Sequence, residues 1–257
     1  MKKVFKNTIF LSVCGLVTVV AAWVIAFLIV QNEYALPSPW ATAKAAFGLL
    51  GQGAFYLALL ATLGRAALAF VAAFVFGVGL AVIAYLYPSF EKFLRGIIAV
   101  LRALPTMAAL LLILLAADKL GIAEYLPPVV IGVLTLFPIL YTAAYGALCG
   151  VDKDLLEMSR VYHVPTAVQV KKLYLPTALP VLCREGVAAL SFSLKLIVSA
   201  EVLAFTSQSI GGWMQTANLS YEIAEMMALT VIVCLLGVLI EVLGVWLTKA
   251  WEAKRCV

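Results

Sequence analysis

Six stretches of this sequence, 8–30, 54–86, 93–117, 126–149, 178–205 and 223–246, are apolar over about 20 residues or more, the length that crosses the hydrocarbon layer of a bilayer. Nothing else in the chain limits its fold so strongly. Inside lipid every backbone N–H and C=O must find a partner within the protein, so only helices or a closed barrel can span. The runs are continuous and do not alternate with period two, so they read as helices. The composition agrees: 65% of residues are hydrophobic and 12% charged, against about 45–50% apolar and 25% charged in soluble domains. The mean hydropathy is +1.10. The expectation is an all-α, polytopic membrane protein with about six transmembrane helices, built as a single domain over residues 1–257.

The first run follows Lys2, Lys3 and Lys6, as a cleaved signal peptide would. A signal's apolar core, however, is about 7–15 residues and ends at a small-residue cleavage site. Trp23 and Phe27 continue this run, so it is expected to remain as a first span. The run 54–86 is overlong and must tilt or project.

Charge alternates along the chain. Cations cluster before the first run (Lys2, Lys3, Lys6), between the second and third (Lys92, Arg95), between the fourth and fifth (Lys153, Arg160, Lys171, Lys172) and after the sixth (Lys249, Lys254, Arg255). The intervening loops hold Lys44 and Lys119 among Glu33, Asp118, Glu124, Glu222 and Glu225. The positive-inside rule therefore puts both termini, and a loop at about 150–176, in the cytoplasm. On the other side, Ser38 and Pro39 are placed to cap and begin a short interfacial helix with Trp40 at headgroup depth. The net charge of +5 is spread along loop edges and does not gather with aromatics in one patch, which argues against nucleic-acid binding.

Catalysis finds no residues. His163 is the single histidine, and no span carries a Gly-x-Ser-x-Gly, an H-E-x-x-H or paired aspartates. No nucleotide-binding P-loop is present either. The five cysteines, Cys14, Cys149, Cys183, Cys234 and Cys256, form no C-x-x-C pair, so they are expected as small buried hydrophobes and not as a metal site.

The loop between the fourth and fifth runs is unlike the rest. Asp152 is placed to cap a helix in which Leu155, Met158, Val161 and Tyr162 recur at helical spacing. Val164-Pro165 breaks it. Thr166 and Gln169 are spaced as a capping box for a second short helix that runs to Leu175-Pro176. Such a hairpin either rests on lipid headgroups or docks a partner protein.

Charges also fall in or near the runs at Arg65, Arg102, Lys195 and Glu201. A basic residue at mid-membrane costs about 2.5–3.5 kcal/mol on insertion scales, so each should face protein or water. Arg65 and Arg102 can pair or snorkel. Lys195 and Glu201 lie about two turns apart, close enough to look into one cavity, with Lys195 suited to an anionic cargo. Pro105 and Thr106 can open the third run locally beside a pathway. The stretch 207–213, with Gly211 and Gly212, reads as a flexible turn serving either as gate, re-entrant bend or plain connection.

The hairpin resembles the cytoplasmic signature of ABC importer permeases, E-A-A-x3-G-x9-I-x-L-P. Glu157, Met158 and Ser159 fill its first positions, His163 stands where the family has Gly, and Leu173, Leu175 and Pro176 complete it. Further stretches resemble the nitrate/sulfonate/taurine-type branch, in order: Ala35 to Pro39, Thr62 to Arg65 with Gly77 and Gly79, Leu101 to Pro105 (L-R-P-I-P in the family), Phe137 to Ile139, Ala200 to Val202 and Ser209 to Gly211. The resemblance covers about residues 35–245.

It implies a type I ABC importer permease fold in a bacterial inner membrane. Asp154, Leu155, Glu157, Met158, Ser159, Arg160, Tyr162 and His163 would form a coupling helix seated on a cytosolic ATPase dimer. That partner would bind ATP and Mg, leaving this chain without a cofactor. A second permease copy, giving a homodimer, would complete the path, and an extracytoplasmic binding protein would deliver nitrate, a sulfonate, a taurine-like anion or a vitamin precursor. Arg102, Pro105, Thr106, Lys195, Glu201 and Gly211 would line or gate the path. The alternatives are a stand-alone secondary transporter or channel, and a membrane scaffold.

Overall fold

The computed structural model describes residues 2–255 and the side chains of 14, 15 and 17–251. Among the described residues the regular structure is entirely helical. In chain order the helices are α1 (Lys2–Val30), α2 (Pro39–Leu50), α3 (Gly53–Leu86), α4 (Pro88–Ala103), α5 (Thr106–Leu120), α6 (Leu126–Cys149), α7 (Lys153–Val161), α8 (Thr166–Gln169), α9 (Leu175–Ala204), α10 (Ile210–Leu219) and α11 (Ile223–Arg255). Two compact units share them: Met1–Tyr56 with Trp213–Ile232, and Leu57–Gly212 with Val233–Val257.

In the smaller unit, Ser38 caps α2 as its spacing required. Its Oγ accepts the Ala41 N–H at 3.1 Å, and Pro39 takes the first helical position. Trp23 Nε1 donates to the Pro37 carbonyl at 3.2 Å, tying the end of α1 to the chain that enters α2. Trp40 is exposed, as an interfacial tryptophan would be.

The larger unit carries the core. Its helix surfaces meet through small residues, because lipid offers no hydrophobic drive and close backbone approach supplies the packing. Ala81, Ala84, Ala144, Ala147 and Ala178 sit among Leu94, Ile98, Tyr141, Leu148 and Leu182, and a second cluster joins Ala73, Leu136, Leu140 and Ala189. A Cβ at Gly77 would stand 3.0 Å from the Tyr141 nitrogen, which shows how closely α3 and α6 approach.

Among the described residues, four helical segments are long and apolar enough to cross a membrane: Gly53–Leu86, Leu126–Cys149, Thr166–Ala204 and Ile223–Trp251. The pair α4–α5 makes a fifth only if its 93° bend is counted as one broken span. The run 8–30 falls on α1, whose described apolar stretch is Val17–Val30.

The run 93–117 falls on α4 and α5, which meet at a 93° bend at Pro105, where a local opening was expected. Pro105 has no N–H and pushes the preceding residue out of the helical region. Leu104 is extended at φ −66°, ψ 125°, and the chain turns there. α4 is amphipathic, burying Leu94 and Ile98 while Lys92, Arg95 and Arg102 are exposed, so it does not suit a lipid-filled path.

Two smaller expectations also change. Thr166 does not cap; it is the first helical residue, and the Gln169 side chain instead donates to the Val164 carbonyl at 2.8 Å. The second hairpin helix does not stop at Pro176 but continues into the span through a π-helical turn, Val170–Tyr174. A wider turn just before Pro176 gives room for a ring that would otherwise strike the carbonyl four residues back. Cys14, Cys149 and Cys234 are exposed and Cys183 is half-buried, contrary to expected burial. A small apolar side chain facing lipid has no need of a protein core. Cys256 lies outside the described residues.

Gly77→Ala should lower the Tm of the detergent-purified chain, because overpacking against rigid backbone costs about 1–3 kcal/mol. Gly79→Ala, two residues away with nothing within 4 Å of a built Cβ, should leave it unchanged or raised. Differential scanning fluorimetry of the pair decides; equal losses would contradict the tight α3–α6 contact.

Candidate functional site

The first candidate is α7. The Asp152 side chain accepts the Asp154 N–H at 2.9 Å and starts the helix. At the other end the Val164 N–H reaches the Ser159 carbonyl at 2.9 Å and the His163 N–H reaches Arg160 at 3.0 Å, the paired bonds of a Schellman stop. That stop needs a left-handed residue, and His163 supplies it at φ 48°. Glycine meets no Cβ clash there, whereas a side chain costs about 1–2 kcal/mol.

The helix so bounded turns apolar groups outward. Met158 is 53% exposed and Tyr162 75%, with Leu155 and Val161 beside them. Asp154, Glu157, Arg160 and His163 are exposed as well. Ser159 differs from the other seven named positions: it is 3% exposed, with its hydroxyl bonded to the Leu156 carbonyl at 2.8 Å. Its small size serves packing against its own chain, and it is not on the surface α7 offers.

The second candidate is a buried latch. Glu201, near the end of α9, is fully buried. Arg65 Nη1 on α3 meets its Oε1 at 2.6 Å, Thr62 Oγ1 donates to Oε2 at 2.9 Å, and the Gly211 N–H reaches Oε2 at 3.3 Å. Thr62 Oγ1 in turn accepts the Ile210 N–H at 3.0 Å, and Ser209 Oγ accepts that of Gly212 at 2.8 Å. The first three N–H groups of α10, orphans by helix geometry, are thus all taken by side chains, and a carboxylate sits at the positive end of the helix dipole. Gly211 is required by this closeness, since a Cβ there would lie 2.7 Å from the Val198 oxygen and the Val202 nitrogen.

The latch overturns two expectations. Residues 207–213 are not a flexible turn throughout, because α10 begins at Ile210 and is held by Glu201. Nor do Lys195 and Glu201 share a cavity. Six residues advance about 1.7 turns, which leaves their side chains about 120° apart. Glu201 points into protein. Lys195 is exposed on a stripe of α9 that runs Arg184, Ala188, Phe192, Lys195, Ser199, Leu203. Its stem lies against Gly237 of α11, where a Cβ would come within 3.2 Å of Lys195 Cε, and Ser191 bonds the Gly237 carbonyl at 3.0 Å.

Arg102 neither enters a helix core nor snorkels freely. Its Nη2 donates to Thr142 Oγ1 at 2.6 Å and lies 3.4 Å from the Pro138 carbonyl. Pro105 is exposed and Thr106 half-buried at the α4–α5 corner. Sequence reasoning gave Thr62 no role of its own and passed over Tyr141, Thr142, Arg184, Glu185 and Glu241. The last three are ionisable residues inside helices long enough to span, which was signal enough to find them.

Removing one partner of a buried ion pair costs about 3–5 kcal/mol, whereas replacing both by apolar groups can be neutral. Glu201→Leu should therefore sharply lower Tm and yield, and Arg65→Met with Glu201→Leu should recover much of the loss. A double-mutant cycle on purified protein reads the coupling; additive losses would show that the two residues do not depend on each other.

Comparison with known proteins places this geometry. Residues 73–255 match the family model for the binding-protein-dependent transport system inner membrane component. The putative aliphatic sulfonates transport permease protein SsuC of Bacillus subtilis is 26% identical over 224 residues, covering 87% of this chain and 79% of that protein. Among solved structures, an inward-facing form of the MetNI methionine ABC transporter aligns with a TM-score of 0.64 at 20% identity, over 76% of this chain and 96% of that one. A crystal structure of an amino acid ABC transporter with histidines aligns equally well, at 0.64 and 16% identity, over 78% and 94%. The chain belongs to the binding-protein-dependent transport system inner membrane component family: it is a multi-pass permease subunit of an ABC importer, forming a path for a small solute and coupled to a partner ATPase.

Proposed function

We propose that this permease imports a small organic anion of the sulfonate kind and that α7 is the coupling helix through which the ATPase drives it. The observation that carries the coupling role is the outward apolar face of Leu155, Met158 and Tyr162 on a helix fixed at both ends. A helix capped by Asp152 and stopped at His163 transmits a push as a rigid body, which a frayed loop cannot. Asp154, Glu157, Arg160 and His163 rim that face and would set partner choice. Nucleotide and Mg belong to the partner ATPase, and the catalysis with them.

The termini and α7 lie on the cytoplasmic side in this reading, supported by the cations of the loops. Two copies of the chain face each other across the path, and an extracytoplasmic binding protein delivers cargo. The exposed α9 stripe fits that path. A cation without a carboxylate partner among the described residues, seated in a spanning helix, is costly facing lipid and useful facing an anion. Lys195 meets the cargo; Ser199, one turn on, supplies a hydroxyl. Arg102, Pro105 and Thr106 form the other end of the route, and Glu201 with Gly211 anchors the gate without touching solute. The sulfonate assignment draws on the name of the Bacillus subtilis relative.

Met158→Lys should cut ATPase co-purification and uptake by about tenfold or more, since it puts a desolvated, unpaired charge in the docking cleft. Unchanged recovery of the complex would remove α7 from the interface. Lys195→Met should leave the complex intact while slowing alkanesulfonate uptake by about tenfold, the loss of one charge-assisted contact. Uptake assays in reconstituted vesicles read it, and equal transport by variant and parent would make Lys195 structural only.

A further inference from the structure

We propose that the cleft between α4 and α6 is a binding site for the head of an organic anion. The cleft has a volume of about 630 Å³, within the range of small-molecule sites, and opens within the last turns of α6 before α7. Its walls carry the Arg102 guanidinium, the apolar Ile98 and Ala99, and the rings of Tyr141 and Tyr145, stacked at 6.0 Å.

Two features point to an anion. The first is charge. Glu91 and Arg95 both line the cleft but neutralise each other, with Arg95 Nε at 2.9 Å and Nη2 at 2.8 Å from Glu91 Oε1. Arg102 has no carboxylate within ion-pair distance among the described residues. It spends Nη2 on Thr142 and leaves the other guanidinium nitrogens free of protein partners there. On the far side of Arg102 an adjoining cleft holds Glu185, itself 3.7 Å from Arg184 Nε. One net positive charge therefore remains in the α4–α6 cleft, fitted to a monoanion.

The second is an unmet donor. Tyr141 is 5% exposed, and its hydroxyl is buried with no hydrogen-bond partner. A buried hydroxyl left unpaired costs about 1–3 kcal/mol, so such a group points to an occupant that accepts its proton. An oxyanion head held by Arg102 and Tyr141, with an apolar body along Ile98, Ala99 and Tyr145, satisfies both. Sulfonate on a short alkyl chain and the phosphodiester of an anionic lipid share this chemistry. The site rests on the cleft itself; only its use by cargo depends on the transport reading above.

The test uses the full chain in phosphatidylcholine nanodiscs, titrated calorimetrically with 1-butanesulfonate, and in parallel nanodiscs containing phosphatidylglycerol, whose retention is read by native mass spectrometry. Arg102→Gln and Tyr141→Phe are compared with the parent, and Tyr141→Phe keeps the ring and its packing. Butanesulfonate binding that weakens about tenfold in Arg102→Gln and severalfold in Tyr141→Phe supports the site with cargo as occupant. Retention of phosphatidylglycerol by the parent but not by either variant supports it with lipid as occupant. Binding of neither probe, or binding that both variants leave unchanged, overturns the proposal. Failure of the assembled importer to move any sulfonate would count against the transport reading alone, because the cleft is read without uptake.

Discussion

A carboxylate buried among helices must be answered group by group, and the answer given to Glu201 organises the larger unit. Arg65 and Thr62 come from α3, and the Gly211 N–H from the start of α10. In water such contacts would be replaced readily. In a low-dielectric interior each unanswered group would cost several times more, so the arrangement is held as a unit. A helix end and two spans are thereby fixed to one another at the point where the chain turns from α9 into α10. The tightness leaves no space for a side chain at position 211, so Gly211 follows from the position of Glu201.

The opposite end of α9 is organised by backbone geometry. α9 continues the second arm of the α7 loop without a stop, passing through a π turn before Pro176. The loop helix is therefore joined to a spanning helix through the His163–Pro165 joint. On the coupling role proposed for α7, a push there would reach the base of a helix whose far end carries Glu201. The same chain segment links the surface that suits a motor protein with the latch at the other end, and Lys195 stands between them on the exposed stripe.

The break at Leu104-Pro105 gives α4 a different character from the spanning helices of the larger unit. It is short and amphipathic, and with α6 it lines the cleft that holds Arg102. Arg102 lies at its end and bonds to Thr142, whose hydroxyl also donates to the Pro138 carbonyl at 2.7 Å. The two prolines, one breaking a helix and one inside another, are both part of the surroundings of a single arginine.

By itself the sequence determined the helical class, the spanning segments on α3 and α6 to within a residue, the capping of α2 and α7, and the loop that marks the family. These follow from hydropathy over a window and from local hydrogen bonding, which adjacent residues decide. The left-handed helix stop falls at His163, the position where the family signature has Gly. Tertiary structure alone decided that Glu201 belongs to Arg65 and not to Lys195, that Ser159 faces inward, and that the third apolar run is two helices at 93°. It also decided that residues 207–213 are pinned and that Tyr141 is left with an unpaired hydroxyl. Each of these depends on which residue from a distant helix arrives opposite, and helix–helix register in lipid is set by small-residue packing that no single hydropathy pattern encodes.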